Sequence, residues 1–428
     1  MLTREESDLL TQVGPGTPMG ELFRRYWIPC GTTREIPNVD CPPVRVKLLG
    51  EDLVMYRDST GKVGLLAEKC SHRRASLFFG RNEEGGLTCV YHGWKYDLEG
   101  NILDTPCEPA ESKIKYHVKH TAYPTFEKNG LILTYMGPKE KMPLIPNYEW
   151  FTLPEDHVFI EDKMWNENNW LQGLEGDNDS AHVQYLHRNN SLNVVPGMAR
   201  ELSFDAEEGE FWVKTAAIRH ISPSEDYVRT NFFMMPCMAG PPQQSLDGLS
   251  DGYQAVHQVP ADDTHTWRID VWTRRSKPLE RGNGDGATGR WPELANIPPV
   301  GNGGQKFANR HNDYLINRDR QKIDVYTGIP MGPHTQDAAM TESMGPISDR
   351  WNEHLGMSDA GPASMRRVLL RVVREFMEGK EPPGLAYREE DNDFTLERVH
   401  AMVPPGTNWK DVKAVQESLL NSKPPVYI

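Results

Sequence analysis

The sequence predicts an α+β protein in two unequal parts: a small antiparallel β domain, then a larger domain of antiparallel sheet and helices. Three observations lead there. Between positions 44 and 135 apolar residues alternate in short runs, the period-two pattern of half-buried strands. Beyond residue 150, strand-like runs accompany one long segment with helical periodicity. The 36 glycines and 33 prolines among 428 residues favour strands and loops over a helical bundle.

Taken in order, Thr3-x-x-Glu6 is a capping box and opens a short helix. A second helix is expected over residues 19–27, with Leu22, Phe23 and Tyr26 on its apolar stripe and Pro29 as its stop. These make residues 1–34 an N-terminal helical segment. Val44–Leu48, residues 53–56 and residues 130–135 read as strands of a domain spanning 35–150, with Pro143 and Pro146 near its end. In the remainder, 151–428, residues 211–219, 229–235 and 267–273 read as strands. Residues 364–379 read as a helix with Val368, Leu369, Val372, Val373 and Phe376 apolar and Gly379 closing it. Gly284-Asp285-Gly286-Ala287-Thr288-Gly289 matches G-x-G-x-x-G formally, but prolines at 278, 292, 298 and 299 surround it where a dinucleotide fold needs a strand and a helix. It reads as a flexible loop, and the chain is expected to draw electrons from a separate reductase.

A formal net charge of −14 disfavours nucleic acid or an anionic membrane as partner. Six cysteines without a closely spaced framework read as free thiols or metal ligands in a reducing compartment. The charged first eight residues do not resemble a signal peptide, and no apolar run has the length of a membrane span. A soluble, cytoplasmic protein is expected.

The most informative pattern is Cys70-Ser71-His72, followed sixteen residues later by Cys89-Val90-Tyr91-His92. Each short loop offers one thiolate and one imidazole, as a [2Fe–2S] cluster with cysteines on one iron and histidines on the other requires. Structural zinc also accepts two cysteines and two histidines, but usually as a close Cys pair and a close His pair. Neither loop carries a further cysteine; Ala75 and Tyr91 stand where one might. A one-electron centre needs an acceptor, and Asp179-x-x-His182-x-x-x-x-His187 offers two thirds of a 2-His-1-carboxylate iron site. On a helix, Asp179 and His182 share a face, and His187 joins them only if the helix bends or ends nearby. The plain alternative is a pair of solvated or core histidines on an acidic helix.

Through these motifs, its Met1-Leu2-Thr3 opening and the blocks from Glu175 to His187 and Gln336 to Arg350, the chain resembles the catalytic subunits of Rieske non-haem iron ring-hydroxylating oxygenases, in particular the phthalate 4,5-dioxygenase family. The resemblance implies a Rieske domain followed by a helix-grip catalytic domain. It makes His182 and His187 ligands of a mononuclear Fe(2+), and Asp179 the link between one subunit's Rieske histidine and its neighbour's iron-ligating histidine. It places the third ligand on a later helix at Asp337, with Glu342 and Asp349 as rivals. It further implies a homotrimer or two stacked trimers, an NAD(P)H-dependent flavin and iron–sulfur reductase, O2, and an aromatic acid as substrate. The reaction expected is cis-dihydroxylation of a phthalate-like ring, or alternatively O-demethylation of a methoxylated, lignin-derived acid with release of formaldehyde. A carboxylate substrate calls for an arginine; Arg200, Arg219, Arg229 and Arg268 are available, Arg229 foremost and Arg200 after it. Phe232, Phe233, Met234 and Met235 beside Arg229 suit either a pocket wall or plain core.

Two readings of other classes remain: an electron carrier with an appended binding domain, and a colourless zinc-stabilised interaction module. Iron content separates all three. The oxygenase reading expects about three irons per chain, a carrier about two and a zinc module none.

Overall fold

The structure is a computed structural model describing residues 1–161, 163–188, 202–240, 252–279, 302–330, 332–394 and 400–411. The Gly284–Gly289 motif and Arg200 lie outside the described residues.

The N-terminal part holds three small antiparallel sheets. Val44–Leu48, Glu51–Arg57, Val63–Ala67 and Ala122–Tyr123 form one, and Trp27–Thr32, Leu131–Tyr135 and Thr125–Lys128 a second. The third, from Arg81–Glu83, Gly86–Thr88, Lys95–Tyr96 and Ile102–Asp104, carries the loop at 89–94, and the loop at 70–75 leads into it. Among the described residues, the C-terminal part is dominated by a nine-stranded sheet. Its main path runs Val158–Ile160, His265–Arg274, Gly252–Asp262, Met238–Gly240, Glu225–Met234, Trp212–Ser222, Leu202–Glu208.

The capping box at Thr3 forms as expected: the Glu6 amide donates to Thr3 Oγ1 at 3.1 Å and the Thr3 amide to Glu6 Oε2 at 3.0 Å. The second helix is shorter than its apolar stripe suggests. It spans Pro18–Phe23, and Trp27 opens a strand instead. All six residues of Trp27–Thr32 are buried against Leu131–Tyr135, and a register shift after Pro29 accommodates the missing N–H. Strand pairing and burial outweigh the weak propagation of one more helical turn.

The long C-terminal helix, Ala360–Met377, begins four residues before its predicted start. Gly361 and Pro362 read as breakers in sequence, yet they occupy its first turn, where proline is tolerated. A Cβ on Gly361 would sit 2.7 Å from the Asn178 carbonyl, so glycine permits this close approach. Met365, Val368, Leu369, Val372 and Val373 pack into a core shared with Leu10, Leu22 and Phe23 of the N-terminal helices and with Trp170 and Leu174.

Trp170–Asp177 is the helix that leads into the segment of Asp179, His182 and His187. Asn169 caps it, its side chain accepting from the Leu171 amide. Gln172 donates to the carbonyls of Thr341 (2.8 Å) and Gly345 (2.9 Å). Glu175 lies half-buried between Arg350, paired through two 3.0 Å bonds, and Arg366 at 2.7 Å. Burial alone would raise the Glu175 carboxyl; the two guanidinium groups outweigh it and hold it below the usual range. Because Arg350 is fully buried, Glu175→Gln strands a guanidinium charge and should cost about 3 kcal/mol or more. Calorimetry of the purified variant should show unfolding several degrees below wild type.

Candidate metal centres and the oxygenase site

The two cluster loops are built alike. The Cys70 amide donates to the Ala75 carbonyl and the Arg74 amide to the Cys70 carbonyl, at 2.8 and 2.9 Å. The same pair of bonds, Cys89 to Trp94 and Gly93 to Cys89, closes the second loop at 2.8 and 2.9 Å. Equivalent positions adopt left-handed backbone, Arg74 at φ +64 and Gly93 at φ +76. At Gly93 a Cβ would also meet Pro106 Cγ at 2.5 Å.

The loops bring the four predicted ligands together. The His72 and His92 rings lie 4.5 Å apart, and His72 stacks on Trp94 at 4.7 Å. Both cysteines are buried, whereas both histidines are half-buried. The donor set fits a two-iron cluster: the thiols are close enough to share a proton, and the buried Nδ1 of His72 has no hydrogen-bond partner. Cys70 is pulled down to about 5, foremost by its hydrogen bond with Cys89 and, against burial, by the Tyr96 hydroxyl and the amides of His72 and Arg73. Cys89, retaining the shared proton, is pushed up.

Sequence reasoning missed two buttresses here. Tyr96 Oη sits 3.0 Å from Cys70 Sγ and accepts from the Ser71 amide. His120 donates through Nε2 to the Ala67 carbonyl at 2.8 Å, so its Nδ1 accepts the Ser71 hydroxyl at 2.7 Å. Neither residue lies in the motif: Tyr96 is on the strand directly after the second loop, and only the fold brings it and His120 to the first loop.

At the second centre, the helix expected to carry Asp179 and His182 ends at Asp177. Asn178 caps it, and the chain re-enters a single 3-10 turn at His182–Gln184. Asp179 Oδ1 accepts the Ala181 amide at 2.6 Å, and its Oδ2 lies 3.5 Å from His182 Nδ1. This break brings His187 round to His182, with ring centroids 5.1 Å apart. Asp337, on the helix Pro333–Ser343, completes the group: Oδ1 is 3.0 Å from His187 Nε2 and 3.7 Å from His182 Nε2.

Gln336 decides the tautomer of His187. Its amide nitrogen donates to Thr327 Oγ1 (2.9 Å) and the Ile329 carbonyl (3.2 Å), so Oε1 must face His187 Nδ1, at 2.9 Å. The Nδ1 proton is therefore engaged and the Nε2 lone pair points at Asp337. A lone pair and a carboxylate facing each other at 3.0 Å in a buried setting need a cation between them, and one ligand atom from each of the three residues lies within 4.8 Å of the others. The set fits ferrous iron. Burial would raise the Asp337 carboxyl, yet His187, His182 and Arg268 together hold it well below the usual range.

The rivals for the third position lie elsewhere. Glu342 is buried against Lys306 and the Tyr314 hydroxyl, and Asp349 is exposed. A cavity of about 600 Å³ borders the iron group, lined among others by His182, Asp337, Gly176, Gln258 and Tyr326. Of Arg219, Arg229 and Arg268, the sequence candidates among the described residues, only Arg268 lines it, and Asp177 (2.9 Å) and Asp270 (2.8 Å) already hold that guanidinium. Arg219 and Arg229 are buried in the sheet and absent from the lining. Phe232 to Met235 are core.

Residues 26–126 match the model of the Rieske [2Fe-2S] domain, and residues 134–423 that of the LigXa C-terminal domain like family. The chain belongs to the Rieske non-haem iron oxygenases as a catalytic oxygenase subunit, and carries a [2Fe–2S] cluster and a mononuclear iron site. It is 35% identical to the phthalate 4,5-dioxygenase oxygenase subunit of Pseudomonas putida, over 97% of this chain and 95% of that one. It is 32% identical to the 5,5'-dehydrodivanillate O-demethylase oxygenase subunit of a Sphingobium strain, over 90% of this chain and 84% of that one. The oxygenase in the reduced oxygenase–ferredoxin complex of carbazole 1,9a-dioxygenase superimposes with a TM-score of 0.56 at 17% identity, covering 92% of this chain and 99% of that one. Such subunits work with separate electron-transfer proteins. No helix among the described residues is long and apolar enough to cross a membrane.

Removing the acceptor that orients His187 tests this arrangement. Gln336→Leu should weaken retention of the mononuclear iron about 10- to 100-fold under dialysis against a ferrous chelator. The visible spectrum of the cluster should be unchanged.

Proposed function

We propose that the chain oxidises an aromatic carboxylate, by cis-dihydroxylation of a phthalate-like ring, with residues 35–150 holding the cluster and 151–428 the iron and substrate. The observation that supports this most is a three-residue iron group opening onto a cavity of about 600 Å³, the size range of a small aromatic ligand. Cys70 and Cys89 would hold one iron of the cluster, His72 and His92 the other, and His182, His187 and Asp337 the mononuclear iron. When bound, these groups supply one-electron transfer and dioxygen activation. His182 and Asp337 border the cavity, whereas Gln336 holds His187 behind them.

Asp179 is placed to hold the Nδ1 proton of His182 and to accept a second hydrogen bond from outside the chain, since its side chain is 22% exposed. The half-buried imidazole edges of His72 and His92, with Val90 and Tyr91 exposed beside them, suit docking against that carboxylate on a neighbouring copy. A homotrimer, alone or stacked in pairs, provides such a neighbour. With no dinucleotide-binding pattern in the sequence outside the Gly284–Gly289 motif, an NAD(P)H-dependent flavin and iron–sulfur reductase is the proposed electron source.

The similarity to an O-demethylase favours one second reading, removal of a methyl group from a methoxylated aromatic acid as formaldehyde. A single turnover decides between them. The reduced protein is mixed anaerobically with plain and methoxylated aromatic acids, exposed to ¹⁸O₂, and the products weighed. Gain of two labelled oxygens by the ring is the expected result; a demethylated phenol with formaldehyde moves the assignment to the second reading. Absence of turnover with every acid would refute both.

A further inference from the structure

We propose that Arg318 anchors the substrate carboxylate, so that the segment covering the cavity, rather than the sheet beneath it, selects aromatic acids. This rests on the reading that the substrate is such an acid. Asp177, Asp179 and Asp337 all border the cavity, so an anionic substrate enters against three carboxylates and needs a cation away from them. Among the described residues two arginines line the space, Arg268 and Arg318. Arg268 is buried and paired on both sides, with Asp177 and with Asp270. Arg318 is exposed, and its guanidinium makes one hydrogen bond, from Nη1 to Gln321 Oε1 at 3.1 Å; no carboxylate among the described residues pairs with it. That bond orients the fork while leaving Nε and Nη2 to grip a carboxylate.

The anchor is held in register with the iron group. Arg318 and Gln321 lie one turn apart on the helix Arg318–Ile323, and both line the cavity. Asn317 caps this helix through the amides of Asp319 (3.0 Å) and Arg320 (2.9 Å) and donates its own amide to the Gly328 carbonyl at 2.8 Å. Upstream, Lys306 and Tyr314 clamp onto Glu342, which lies five residues after Asp337 on the same helix. Asp313, Tyr314 and Leu315, at φ +49, +53 and +56, turn the chain between clamp and anchor. Tyr326 from the same segment stands 6.2 Å from Tyr185, flanking the space with two aromatic rings. A substrate would then lie with its ring toward the iron group and its carboxylate at the wetter rim, where desolvation costs least.

Steady-state kinetics of the reconstituted holoenzyme and reductase test this, with phthalate, benzoate and 4-methoxybenzoate against their methyl esters. Arg318→Gln should raise KM for the accepted acid about 10-fold or more, leave kcat within about 2-fold, and leave KM for the ester unchanged; Arg318→Lys should recover part of the loss. Arg320→Gln, whose arginine pairs with Asp324 outside the cavity, should behave as wild type. An unchanged KM in Arg318→Gln, with the wild type turning over the acid, overturns the anchor and leaves the aromatic-acid reading intact. A wild type that accepts the esters and none of the acids overturns both.

Discussion

The carboxylate of Glu175, held between the guanidinium groups of Arg350 and Arg366, is the interaction on which the catalytic half depends. It ties two separate stretches of chain to one helix of eight residues, and the turn that carries His182 begins five residues after that helix ends. A buried ion pair gains little over apolar packing in free energy, but it tolerates few alternative arrangements. Here the geometry matters more than the energy. Gln172 secures the same helix to the turn after Ser343, and Arg268 reaches Asp177 from the sheet. His182 and His187 thus emerge from a turn whose backbone is braced from several directions, as a metal site with little room for adjustment requires.

Electrostatics divide the two centres by role. In the cluster loops the thiolates face the core and the imidazoles face outward, so negative charge sits where donors from Tyr96 and the loop amides receive it. In the iron site the polarity is reversed: carboxylates ring a cavity, and Arg268 offsets part of their charge. Asp179 stands at the edge of this site, partly exposed and hydrogen-bonded to its own turn, with one oxygen left toward His182.

Much of this was legible in the sequence, and the exceptions share a cause. The candidate cluster ligands and the two histidines at 182 and 187 stand out because metal coordination demands particular residue types at short spacings, whereas Asp337 follows only from the resemblance to the oxygenase family. The strands at 212–222 and 265–274 and the long C-terminal helix are recognisable by periodicity. What stayed hidden depends on contacts distant in sequence. The strand at Trp27–Thr32 exists because Leu131–Tyr135 lies beside it, and Gln336 matters because a histidine 149 residues away needs an acceptor. Arg229 was singled out by its neighbours on a strand; its depth in the sheet, which keeps it from the cavity, is a property of the folded layers. Arg318, in a polar stretch without periodicity, offered no such cue.

The clamp formed by Lys306, Tyr314 and Glu342 has a consequence for how such enzymes diversify. The covering segment is secured at a few points by side chains and spends little of its length in sheet hydrogen bonding. Substitutions between the clamp and Thr327 can therefore remodel what enters without disturbing strand register, the cluster loops or the iron group. Substrate range becomes a trait that can drift on one short stretch of chain while the redox machinery is inherited whole.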